Sequence, residues 1–219
     1  MGRSFRFPNA DEFSYTLPGT TLRPQASRDV DLGVRLGWTG GRSDVRLYRS
    51  VLRDEIGFDP LLNGFFGANV NFDPIRRQGV ELEAQQSLSK VLHLRLNAAA
   101  RQAEFTAGSY DGKNVALTPR YTASIGLDWR PLDSHKLGGL VNTVSSQSPD
   151  FQNACTMPAY TTADVRYAFS KSNVELSLGV NNLADKKYYT LAYSCVGGVT
   201  NSIYPEAGRS VVLSVRVTL

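Results

Sequence analysis

Cysteine and histidine are scarce in this chain, and long apolar runs are missing from it. Two cysteines, Cys155 and Cys195, allow a single disulfide and exclude a disulfide-stapled scaffold. Two histidines, His93 and His135, without any Cys-x-x-Cys, leave little to hold a metal, and no metal or cofactor is expected. No run reaches the roughly 18 apolar residues of a transmembrane helix. That excludes a helical span only, because a transmembrane strand needs about 9–11 alternately apolar residues. Net charge is +4, yet no block of five or more basic residues occurs, so nucleic acid is not an expected partner. The start, Met1 to Phe5, lacks the apolar core of a signal peptide, so an exported protein would be represented here by a fragment or a mature piece. No Ser-His-Asp set, cleft-lining carboxylate pair or phosphate loop is present, and no enzyme activity is expected. The chain is not disordered either: 42% of it is hydrophobic and 20% charged.

What the chain does have is alternation. Successive side chains of a strand point to opposite faces. In the last stretch, Val211, Leu213, Val215, Val217 and Leu219 share one face, and Ser210, Ser214, Arg216 and Thr218 share the other, with Val212 as the apolar exception. The same pattern runs through Val30 to Trp38, Val45 to Val51, Val80 to Ala84, Leu92 to Ala100, Ala123 to Trp129, Ala163 to Tyr167 and Val174 to Val180. The spacing predicts strands over about 28–38, 43–56, 71–88 (irregular at Pro74), 92–101, 122–130, 136–146, 162–169 and 174–189, then the last. Residues 5–24 read as a strand end and a loop. Thr39 to Arg42, Ser87 to Lys90, Pro131 to Ser134 and Ser170 to Asn173 read as short turns, and the remaining connections are long. These strands of about 10–13 residues exceed the usual 5–6, and no amphipathic helix is predicted between them. Short turns at one end and long loops at the other fit an all-β, antiparallel transmembrane β-barrel, here a partial wall of about nine to ten strands.

A soluble β-sandwich alternates in the same way. Two features favour lipid on the apolar face. The polar face carries both signs of charge in mid-strand, including Asp29, Asp31, Arg35, Glu81, Glu83, Asp128 and Arg166, as a wet lumen permits. The aromatics gather at strand ends. Trp38, Trp129 and Phe169 lie beside short turns, as a periplasmic-side belt; Tyr160, Tyr188, Tyr189, Tyr193 and Tyr204 lie toward the long loops. Tyr and Trp favour the membrane interface, where one end of the ring is apolar and the other can hydrogen-bond.

Six stretches, spread in order over almost the whole length of the chain, resemble the C-terminal half of TonB-dependent outer-membrane receptors. They are Ser4–Phe13 (SFRFPNADEF), Leu22–Val34 (LRPQASRDVDLGV), Asn69–Ala84 (NVNFDPIRRQGVELEA), Leu117–Arg130 (LTPRYTASIGLDWR), Leu178–Tyr189 (LGVNNLADKKYY) and Pro205–Val217 (PEAGRSVVLSVRV). The resemblance implies a barrel of about 22 strands with a plug in its lumen, in the outer membrane of a Gram-negative bacterium. It implies import of a ferric siderophore or similar scarce nutrient, energised through TonB acting on the plug. On that reading residues 1–219 are the C-terminal part of the barrel, with the plug and the TonB box absent. The expected partners are the bilayer, the plug, TonB through the plug, the ligand, and the barrel-insertion machinery through the closing strand. Such barrels commonly end in an aromatic, whereas this chain ends in Leu219, which is expected to weaken that last recognition. A passive porin-like or small self-contained barrel is the alternative, and a soluble β-sandwich module a further one.

Candidate site residues follow. Cys155 and Cys195 fall in successive long loops on the predicted outer side, where an oxidising exterior favours a disulfide over two free thiols. Arg95, Arg101, Asp164, Arg166, Glu175 and Arg216 face the predicted lumen. The three mid-wall arginines, Arg95, Arg101 and Arg166, are expected to meet a plug rather than an anionic ligand. Tyr160, Tyr188, Tyr193 and Tyr204 are candidates for stacking on a ligand, or are interfacial residues. Asn181 to Asp185 reads as a bulge where a strand leaves the membrane, and His93 as a polar lumen residue.

Overall fold

The structure, a computed structural model, describes residues 1–62, 64 and 66–218; the expectation for Leu219 lies outside them. Ten strands form one antiparallel sheet: β1 (Gly2–Arg6), β2 (Gln25–Trp38), β3 (Gly41–Arg53), β6 (Ile75–Ser87), β7 (Leu92–Phe105), β8 (Tyr121–Leu132), β9 (His135–Val144), β10 (Tyr160–Lys171), β11 (Val174–Asn181) and β14 (Ser210–Val217). They pair in that order, each with the next. The numbers skip because two small hairpins, β4 (Ile56–Asp59) with β5 (Ala68–Asn71) and β12 (Tyr189–Val196) with β13 (Val199–Pro205), lie outside the sheet. Four tight turns join strands at one end of the wall, and every long connection lies at the other. The first turn shows why: Trp38 pairs with Gly41 around Thr39-Gly40, and Gly40 sits at φ +75°, which only a residue without Cβ adopts at little cost.

Register fixes the faces. Leu32 lies opposite Leu47, Leu47 opposite Val80, Val80 opposite Ala100, Leu94 opposite Leu127, Leu127 opposite Gly139, and Leu178 opposite both Tyr167 and Leu213. The apolar residues of all these strands therefore share one face. Nothing covers it among the described residues: Leu32 is 61%, Val211 65% and Leu213 74% exposed. Burying one such side chain is worth about 1.5–3 kcal/mol, and a soluble monomer rarely leaves more than a few hundred Å² of contiguous apolar surface bare. A sandwich would have placed a second sheet here, and none lies against this face among the described residues. The bare face is the one that meets lipid.

Four sequence expectations are corrected. The second strand, expected to reach Ile56, stops at Arg53, because Asp54 turns to φ 55° and Ile56 opens the β4–β5 hairpin. The third begins at Ile75 rather than Asn71, since Pro74 has no N–H for the ladder and residues 68–71 pair with β4 instead. The strand expected to run through Tyr189 ends at Asn181. Asn182 (φ 49°) and Asp185 (φ 51°) then form a turn, and β12 is a separate element. A five-residue helix, α1 (Ala10–Ser14), interrupts the segment expected to be loop. Asn9 accepts from the Glu12 N–H and the Glu12 carboxylate accepts from the Asn9 N–H, a reciprocal capping box.

Candidate functional site

The polar face holds a ladder of charges, most of them already partnered within the wall. Arg46 on β3 reaches Asp31 on β2 at 2.5 Å and Glu81 on β6 at 3.1 Å, and Arg35 meets Asp44 at 2.5 Å. Further round, Arg95 meets Asp128 at 2.8 Å, while Lys136 (3.5 Å) and Arg166 (4.0 Å) converge on Glu175. Such exposed pairs contribute little each, but their alternation of sign keeps a face of many charges nearly neutral. Gly79 gives the ladder room: a Cβ there would lie 2.5 Å from the Ala100 carbonyl oxygen and 2.9 Å from the Tyr48 hydroxyl.

The candidate lumen residues thus divide. Arg95 is paired with Asp128, and Arg166 with Glu175. Asp164 accepts the Asn182 N–H at 2.7 Å and so helps end β11. Arg101 donates to the Thr122 hydroxyl at 3.1 Å, with its Nε unbonded, and Arg216 has no ion-pair partner among the described residues. His93 lies on the same face and meets the Ser87 hydroxyl at 2.9 Å. Residues 181–185, read from sequence as a bulge, are a turn pinned by buried Asn182. Its side chain accepts from the Lys186 N–H and donates to the Lys186 and Ala207 carbonyls. Asp185 accepts the Arg209 N–H at 2.8 Å and an ammonium proton from Lys187, which hold its carboxyl below the usual carboxylate range.

Above the wall, on the long-loop side, a small core closes over the same polar face. Leu52, Ile75 and Phe105 end their strands with side chains on that face, and all are buried. Phe72, Tyr110 and Phe151, from three different connections, pack on them, with Phe105 and Phe151 edge to face at 5.7 Å. The Tyr110 hydroxyl donates to buried Asp59 at 2.8 Å, and burial together with that carboxylate pushes its pKa up to about 12. Cys155 and Cys195 are joined in a disulfide, Cα to Cα 5.6 Å, which ties the 147–158 connection to β12. Between these pieces lies a cavity of about 210 Å³, lined mainly by apolar groups of Phe58, Leu61, Leu117, Phe151, Ala192 and Tyr193.

The four candidate tyrosines do not form one group. Tyr160 and Tyr188 stack at 4.5 Å, and Tyr160 alternates to the polar face, away from lipid. Tyr193 meets Tyr204 edge to face at 5.5 Å across the β12–β13 hairpin, with Tyr193 also on the cavity. At the short-turn end Trp38, Trp129 and Phe169 all lie on the apolar face. His135 joins them there, against Phe169 at 5.1 Å and bonded to the Tyr167 hydroxyl at 2.6 Å. Sequence reading missed Tyr110, Phe72, Phe151 and Asp59. Their signal was the unusual apolar content of the long connections, such as Phe58 to Phe66, since solvated loops carry few large apolar side chains.

Comparison with known proteins gives the family. A family model described as "TonB dependent receptor-like, beta-barrel" matches residues 2–183. The ferrichrome outer membrane transporter/phage receptor of Escherichia coli K12 is 30% identical over 209 residues, 86% of this chain and 27% of that protein. The ferrioxamine receptor of Yersinia enterocolitica is 27% identical over 201 residues, 85% of this chain and 28% of that one. Among solved structures, the ferric yersiniabactin uptake receptor FyuA of Yersinia pestis aligns with a TM-score of 0.77 at 23% identity, over 92% of this chain and 32% of that one. The copper transporter OprC aligns with a TM-score of 0.80 at 22% identity, over 98% and 36%. The chain therefore spans under a third of the curated relatives named here. With an uncovered apolar face, a lumen-side charge ladder and these relatives, the chain belongs to the TonB-dependent receptors, as part of the β-barrel they place in the outer membrane.

Proposed function

We propose that this chain supplies part of the wall and outer mouth of a receptor that takes up a ferric siderophore or a similar metal complex. The observation that carries the reading is the cap. Three outer connections fold inward over the polar face and leave an apolar cavity above a charged, hydrated wall. A bulky chelate with apolar or aromatic arms fits such a mouth better than a small hydrophilic solute. The ferrichrome and ferrioxamine proteins named above carry iron-chelate ligands in their names, which supports the substrate class. The plug, in this reading, sits against the lumen face. Arg101 and Arg216 are the candidates best placed to meet its acids, because the other two candidate arginines, Arg95 and Arg166, already have carboxylate partners. TonB pulling on the plug would open the path. The closing strand β14, with its bare Val211–Val217 face, would be read by the insertion machinery.

The test uses the whole receptor that contains this chain, in a strain lacking its own siderophore receptors. Uptake of iron-55 chelates of the hydroxamate, catecholate and carboxylate classes is measured with and without TonB. One class is expected to enter only when TonB is present, and Phe151→Ala or Tyr193→Ala is expected to weaken its binding. Uptake that persists without TonB would make the protein a passive pore instead.

A further inference from the structure

The cavity of about 210 Å³ in the cap takes its walls from four separate connections, and each wall is tied to the next. The Tyr110 hydroxyl bonds the segment between β7 and β8 to Asp59 at the end of β4. That segment is joined in turn to the connection between β9 and β10. The Leu117 N–H donates to the Ser148 carbonyl at 2.8 Å. The Asn153 side chain accepts the Asn114 N–H at 2.7 Å and donates to the Asn114 carbonyl at 3.0 Å. The disulfide then carries the tie on to β12. Phe58 rests its ring on Gly67, where a Cβ would collide with it. Packed interiors contain few voids larger than a water molecule. A void of this size, braced from four sides, is a pre-formed pocket whose walls need no ordering when it fills.

The walls also say what cannot enter. Among the described residues no Lys, Arg or His lines the cavity. Its one acid, Asp150, is buried and already accepts the Ala154 and Cys155 N–H groups at 3.0 Å each and the Ser148 hydroxyl at 3.2 Å. Nothing there answers the oxygens of a metal-chelating head, and an unpaired polar group is costly to bury. The volume is also below the roughly 300–1,000 Å³ of a pocket that takes a whole small molecule. It is room for about seven water-sized groups at about 30 Å³ each. Phe58, Leu61 and Tyr193 are exposed, so the cavity opens outward. A narrow apolar chain hanging from a head that stays outside satisfies all of these conditions. We propose that the cavity receives a pendant hydrocarbon chain of about six to eight carbons, so that the metal complex taken up is amphiphilic, with a chelating head and an acyl tail. This rests on the reading of the outer mouth as the ligand site, and adds to it the chemistry of one arm of the ligand.

The whole receptor containing this chain is placed in phosphatidylcholine nanodiscs. Its affinity is measured for iron chelates of the hydroxamate, catecholate and carboxylate classes, each carrying saturated tails of about two to about twelve carbons. In one class the affinity is expected to rise about fourfold per added carbon, as burial of a methylene gives. The rise is expected to stop near about seven carbons, where the cavity is full. Ala154→Phe at the exposed rim and Ala116→Phe in the wall narrow the cavity, and each is expected to flatten the series. A class that binds equally well at every tail length overturns this inference and leaves the proposed uptake standing. No binding by any class at any length overturns both. A rise that runs unbroken to the longest tail, or that persists in both filled variants, means partition into the bilayer and overturns the inference as well. Should Ala116→Phe fail to fold, Ala154→Phe and the cut-off in tail length on the unmodified receptor decide the matter.

Discussion

The wall and the cap above it are held together by different means. Each wall strand between β1 and β14 is fixed by backbone ladders to two neighbours, and its side chains meet lipid on one face and water on the other, so the wall has almost no core of its own. The cap has only two short hairpins, yet it contains the largest fully buried side chains, Phe105, Ile75 and Met157, together with the disulfide. A wall of this kind takes its stability from the bilayer around it, where unsatisfied backbone groups are not tolerated. A cap facing water must bring its own apolar packing. The same chain therefore answers two solvents with two kinds of structure.

That contrast can be broken from either side. Phe105→Ala, at a side chain only 1% exposed, is expected to cost the cap about 3–5 kcal/mol. Hydrogen exchange should rise in residues 56–72 and 147–158, while the ladders of β9 to β11 stay protected. Leu178→Arg on the lipid side of the mid-wall is expected to cost about 2–4 kcal/mol of urea stability in bilayers, with the cap unaffected. Ser214→Arg, exposed on the lumen side of β14, should be milder; equal costs for the two would show that the apolar face does not meet lipid.

The wall was largely legible in the sequence and the cap was not. A strand between lipid and water must sort its side chains with period 2, so Val174 to Val180 and Val211 to Val217 declare their faces residue by residue. The packing of the cap joins Phe72, Phe105, Tyr110 and Phe151 across loops that no short-range pattern links. The pairing of lumen charges was equally hidden. Arg46 finds Glu81 only once β3 and β6 are known to be neighbours, and the β4–β5 excursion between them conceals it. The helix α1 could have been read, since Asn9 and Glu12 are spaced as a capping box.

The disulfide separates the two regions next. Cys155 and Cys195 are 40 residues apart, with β10 and β11 between them. Reduction, or the Cys155→Ser/Cys195→Ser pair, is expected to destabilise the cap by about 2 kcal/mol, at the low end for a native bridge because the wall already holds the loop ends near each other. Proteolysis of residues 189–205 should accelerate with no change in the wall's urea midpoint. Loss of the whole fold on reduction would mean that the cap supports the wall, contrary to the division drawn above.

The smallest effect sharpens the comparison through pH. Tyr110 titrates at about 12 in the folded cap against 10.0 for an unperturbed tyrosine, because burial and the Asp59 carboxylate both disfavour the phenolate. A group raised in this way contributes stability that is fully present below pH 10 and is lost as pH rises through about 12. Alkaline titration followed by tyrosine absorbance should thus include a late step from Tyr110, and cap exchange should rise with it. Tyr110→Phe removes the late step and leaves Asp59, 3% exposed, with the Leu61 N–H as its remaining donor among the described residues. Its expected cost is about 1–3 kcal/mol, the penalty for a buried acceptor that loses a partner. Among the described residues the wall carries no such tyrosine–carboxylate bond, so its unfolding midpoint should not move with the Tyr110 substitution at any pH. A shift in the wall that follows the Tyr110 titration would show that cap and wall unfold as one unit.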